Sequence, residues 1–185
     1  MKKFWASSLF IAFVALSGFS ACPGKFNAAE HILSTLEKLK VYQTDSADKC
    51  WDIIINVKNP PRVLPVPPDS IPMYFPEDDI ILMPEATPDT SEEEYIMTIF
   101  HELAHSTKHV TRLNRNLPRY AEEVVAEMIA VSLAQKCNLN DSKWGRSFTY
   151  IEGWLATLQT DDLKFSITEY LQHVAIGTDY LVNRK

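Results

Sequence analysis

The hydrophobic pattern of this chain changes rhythm at Pro88. Before it, Ala28, Ile32, Leu33, Leu36 and Leu39 recur at helical spacing between Asn27 and Lys40, which predicts an amphipathic helix. Trp51–Val57 is a short β-rich run. The stretch from Asn59 to Pro88 holds nine of the eleven prolines, so any strands there should be short, interrupted and at sheet edges. Met73–Phe75 and Ile80–Met83 are the best candidates, joined into a small hairpin by a turn at Pro76-Glu77-Asp78-Asp79. Beyond Pro88 the pattern is almost wholly helical. Ser91 with Glu94 forms a capping box ahead of the apolar stripe Ile96, Ile99, Phe100, Leu103 and Ala104. Pro118 opens a second helix through about Lys136, and Trp144–Leu158 and Leu163–Leu181 predict two more, the last interrupted at Gly177. This order predicts an α+β fold, with a small short-stranded sheet and a mainly helical C-terminal part.

The first residues follow another logic. Lys2 and Lys3 are followed by an uncharged apolar body and by the small residues of Ser17–Ala21, which reads as a signal peptide over residues 1–21. A lipid on Cys22, an uncleaved membrane anchor and a misplaced start on a cytosolic protein are the alternatives. Export to the periplasm, the cell exterior or a lipid-anchored state follows if the leader works, and a cytoplasmic location if it does not. The remaining residues 27–183 are enough for one domain. A net charge of −6 argues against direct nucleic-acid binding. Cys50 and Cys137 read as small buried hydrophobes in preference to a disulfide, and the cysteine spacing fits no zinc motif.

The chemistry lies in His101-Glu102-Leu103-Ala104-His105, an H-E-x-x-H pattern inside a predicted helix. Histidines four apart share a helix face, so both imidazoles reach one ion while Glu102 stands beside them. Zinc suits imidazole, and three protein ligands leave one position for a water whose pKa falls to about 7. Glu102 is then the general base. The residue six beyond His105 is Thr111, so the third ligand is no metzincin histidine and must come from a later helix. Glu122, Glu123 and Glu127 are the choices. Glu123 and Glu127 share a face, one to bind zinc and the other to orient a histidine, while Glu122 points about 100° away and reads as a solvated carboxylate. His109 and Tyr120 are candidates for substrate or oxyanion contacts. Arg112, Arg115 and Arg119 could also serve an oxyanion, although structural roles are the plainer reading. Trp144, Tyr150, Trp154 and Leu155 recur at helical spacing and read as core.

The strings HELAHSTKHVTRLNR, RYAEEVVAEMIA and YIEGWL, with the hairpin YFPEDDIILMP before them, resemble the zincin-like metallopeptidase domain of antirestriction and polyvalent mobile-element proteins. The resemblance runs from about Asp52 to Asn183. It implies a zinc-dependent peptidase unit with a gluzincin-like site, in which Glu123 matches the third ligand and Glu127 the residue orienting a histidine. Two features depart from it. No counterpart of the family's N-terminal module for single-stranded DNA is recognisable, and Lys108 stands where glycine is common.

The function expected is therefore peptide-bond hydrolysis by zinc-bound water on a peptide or protein substrate, which docks along the strand Ile80–Met83. A non-enzymatic zinc-stabilised binding module and an antirestriction accessory of a mobile element are the alternatives.

Overall fold

The computed structural model describes residues 45–139, 144–156 and 167–183. The leader, Cys22 and the amphipathic stretch Asn27–Lys40 lie outside the described residues.

The expected strand near Trp51 is the end of a helix, α1 (Asp45–Ile55). Ala47, Cys50, Trp51 and Ile54 are buried, at helical rather than alternating spacing. The β-branched run Ile53-Ile54-Ile55 suggested a strand only because it was read without the turns before it. Trp51 Nε1 donates to Glu92 Oε1 at 2.8 Å, tying α1 to the helix that carries the motif.

Three strands follow: β1 (Arg62–Val66), β2 (Met73–Phe75) and β3 (Ile80–Pro84). β2 and β3 form the expected antiparallel hairpin, with Tyr74 opposite Ile81, and Asp79 closes its turn at a φ of 53°. β1 pairs with β3 in parallel, giving the order β1-β3-β2. β3 is therefore central, not the edge expected of Ile80–Met83. β1, with Pro65 inside it, takes the edge position that a missing N–H permits. Ile81 and Met83 point from β3 into the core.

Four further helices complete the described fold: α2 (Glu92–Ser106), α3 (Arg119–Lys136), α4 (Trp144–Ala156) and α5 (Ile167–Val182). Ser91 caps α2 by accepting from the Glu94 N–H, and Glu92, Glu93 and Glu94 place negative charge at its positive end. All five residues of the expected stripe on α2 are buried. Burying Ile96, Ile99 or Phe100 contributes roughly 1.5–3 kcal/mol each, so the motif helix is anchored from behind. α3 packs against α2, α4 and α5. Gly177 does not interrupt α5: a Cβ there would lie 2.4 Å from Ile129 Cδ1, so glycine serves the close approach of α5 to α3. Cys50 and Cys137 are buried free thiols. Among the described residues no helix is long and apolar enough to cross a membrane.

Candidate metal centre

One turn of α2 separates His101 from His105, and their Nε2 atoms converge to 3.0 Å. α3 crosses α2 so that Glu123 Oε2 lies 3.5 Å from His101 Nε2 and 3.4 Å from His105 Nε2. Tetrahedral bonds of 2.0–2.1 Å would hold such donors about 3.3 Å apart. The three separations fit that spacing. Among the described residues these three are the one group of His, Cys, Asp or Glu side chains that could hold a metal ion. Two imidazoles with one carboxylate suit a divalent ion.

Each histidine also has a carboxylate of its own on the far nitrogen. Glu127 Oε2 is 2.7 Å from His101 Nδ1, and Glu122 Oε1 is 3.2 Å from His105 Nδ1. A proton held on Nδ1 leaves the Nε2 lone pair turned inward for an ion.

Glu122 corrects the expectation of a solvated side chain, being only 5% exposed. Arg115 grips both its oxygens, Nε to Oε2 at 2.8 Å and Nη2 to Oε1 at 2.7 Å. The same guanidinium donates to Thr107 Oγ1 and to the Ala104 carbonyl. The rotation of about 100° does carry Glu122 off the Glu123 face. The first turn of α3, however, meets α2 on both faces, so Glu122 reaches His105 while Glu123 and Glu127 reach His101.

Tyr150 is a second correction. Expected in the core, it is 41% exposed, and its hydroxyl donates to Glu123 Oε2 at 2.8 Å. Its ring stands edge-on to His101 and to Trp154, with centroids 5.7 and 6.3 Å apart. Ser147, one turn earlier on α4, is buried. Burial raises Glu127, but His101 and the Ser147 hydroxyl together hold it below the ordinary carboxylate range. The available signal was spacing: two hydroxyls three apart on α4 match two carboxylates four apart on α3.

The remaining candidates are not among the three converging donors. His109 Nδ1 is bonded to Thr111 Oγ1 in the turn after α2, and Tyr120 is half-buried at the start of α3. Arg112 is structural: it makes a bidentate pair with Asp79 and donates to the carbonyls of Asn59 and Ser106. Arg119 lies over the Trp154 ring at 5.7 Å.

The electrostatics follow from this crowding. Burial works against a charged His101, but hydrogen bonds that it donates to the Glu123 and Glu127 carboxylates outweigh this and lift the imidazole to about 10. His105 is raised against its burial by Glu122 and Glu123. Partial burial raises the half-buried Glu123, yet the two histidines hold it well below the ordinary carboxylate range. Glu102 goes the other way: burial raises it, with His101, His105 and the Tyr74 backbone N–H pulling back only in part.

Residues 69–167, more than half of the chain, match the family described as zincin-like metallopeptidase. The chain belongs to that family. Two Escherichia coli proteins named DNA primase TraC are similar to this zincin-like chain, 32% and 33% identical over 98 residues. Those matches cover 49% of this chain but only 7% and 9% of the primases. Among solved structures, the antirestriction ArdC protein of plasmid R388 in its metal-free form is similar in fold. It has a TM-score of 0.50 and 21% identity over 77% of this chain and 53% of that one. The Mn(II)-bound form of that protein has a TM-score of 0.46 and 20% identity, covering 77% and 54%.

Proposed function

We propose that this zincin-like domain is a zinc-dependent peptidase in which His101, His105 and Glu123 hold the ion and Glu102 is the general base. The observation that carries the reading is the meeting of two Nε2 atoms and one Oε2 within 4.8 Å, with the buried Glu102 next to His101 in sequence. A zinc ion bound there supplies Lewis acidity, polarising a carbonyl and lowering the pKa of a water to about 7.

The chain's own groups do the rest. Glu102 takes the proton of the attacking water and delivers it to the leaving amine nitrogen. Its burial raises its proton affinity, which suits both halves of that transfer. Glu127 and Glu122 keep the two imidazoles oriented. For an extended peptide the proposed dock is the outer edge of β2, unpaired among the described residues, replacing Ile80–Met83, because β3 is paired on both sides. β2 packs against α2, the helix that carries Glu102, so that strand lies beside the base.

Relatives named as a DNA primase and an antirestriction protein favour a second reading, a metal-stabilised module without catalysis in a mobile-element protein. A peptide library separates the two. The zinc-loaded protein should cleave it and Glu102→Gln should not, while keeping its metal. Absence of cleavage by the wild-type protein would favour the module, and loss of zinc from Glu102→Gln would make Glu102 a ligand instead of a base.

A further inference from the structure

We infer that α4 sets metal retention at this centre through two positioning residues, Tyr150 and Ser147. The inference rests on the reading of His101, His105 and Glu123 as ligands.

A glutamate side chain has three rotatable bonds, and two imidazoles at 3.4 and 3.5 Å do not by themselves fix its carboxylate. The Tyr150 hydroxyl donates at 2.8 Å to Oε2, the same oxygen that faces both Nε2 atoms. The Tyr150 ring also stands edge-on to His101, so one residue touches two of the three ligands. One turn earlier, the buried Ser147 hydroxyl favours the ionised form of Glu127, whose Oε2 lies 2.7 Å from His101 Nδ1. Ser147 and Tyr150 are thus in register with Glu127 and Glu123, running in the opposite sense along α3. His105 is held separately, by Glu122 and Arg115. Metal affinity should therefore depend on a helix that supplies no ligand.

The test is Co(II) and Zn(II) titration against a competing chelator, with visible spectra of the Co(II) protein and melting curves of the metal-free protein. Tyr150→Phe keeps the ring and removes only the hydroxyl. It should weaken binding by about 10-fold and shift the Co(II) bands, with the metal-free melting curve unchanged. Ser147→Ala should weaken binding in the same direction. Phe148→Ala alters an exposed side chain on the same helix and should change neither property. Wild-type affinity and spectrum in both Tyr150→Phe and Ser147→Ala would overturn the inference while leaving the ligand reading intact. Equal weakening by Phe148→Ala would overturn it too, because docking of the helix would then be the cause. Failure of the wild-type protein to bind either ion, or full binding after His101→Ala and His105→Ala are combined, would instead remove the ligand reading beneath it.

Discussion

Glu122 Oε1 lies 3.2 Å from His105 Nδ1 while Arg115 holds both oxygens of the same carboxylate. This buried chain of three residues ties Glu122 to the candidate metal centre as well as to the fold. Glu122→Ala should weaken zinc binding by roughly 10–100-fold. It should also destabilise the metal-free protein by about 3–5 kcal/mol, because it leaves a buried guanidinium unpaired. Zinc titration and denaturant unfolding of the metal-free variant check the two effects separately. A variant unchanged in both would return Glu122 to the role of a surface carboxylate.

Glu123 and Glu127 should behave differently although both touch His101. Glu123→Ala should strip zinc severely, since it removes an atom that faces both imidazoles. Glu127→Ala should cost roughly 10–100-fold in affinity and leave the site recognisable. Titration of the two variants decides the order, and an empty site in Glu127→Ala beside a filled one in Glu123→Ala would reverse the roles.

Protons should compete with the ion. His101, lifted to about 10, carries a proton in the metal-free protein at neutral pH, and His105 is shifted in the same direction, against its burial, by Glu122 and Glu123. A raised value means that the proton is held below it and must leave before an ion can bind. Zinc affinity should therefore increase as pH rises through neutrality. Calorimetry at one pH in buffers of different ionisation enthalpy should register net proton release on zinc uptake, and uptake without release would contradict the assignment.

The leader can be tested without the catalytic site. In its native host the chain is expected to be exported and to lose about 21 residues. Lys2 and Lys3 leave with them, so 18 basic residues become 16 against 24 acidic ones, a net of −8. Intact mass distinguishes cleavage, an unprocessed soluble chain, and a lipid mass on Cys22.

What could be read from the chain was local. The α2 stripe and its Ser91 cap depend on neighbours within a turn or two, and the hairpin depends on four turn residues between two short apolar runs. The parallel partner of β3 was not legible, because β1 hides among prolines and pairs with a strand 18 positions further on. Trp51–Ile55 was misread because three β-branched isoleucines outweighed the period set by Ala47 and Cys50. At the site, arithmetic on one helix separated Glu122 from Glu123 correctly, but the consequence depended on how deeply α2 lies against α3. Tyr150 and Ser147 depended in the same way on a third helix, which no spacing within α2 and α3 could reveal.

Arg112 gathers the Asn59 carbonyl, the Asp79 carboxylate and the Ser106 carbonyl around one guanidinium. These acceptors belong to the approach to β1, the hairpin turn and the last residue of the metal-bearing helix. Each takes its own N–H from one rigid planar group, so displacing the guanidinium breaks the hydrogen bonds of all three at once. The hairpin and the end of α2 should therefore behave as one cooperative unit in native-state hydrogen exchange, their amides sharing a single opening free energy.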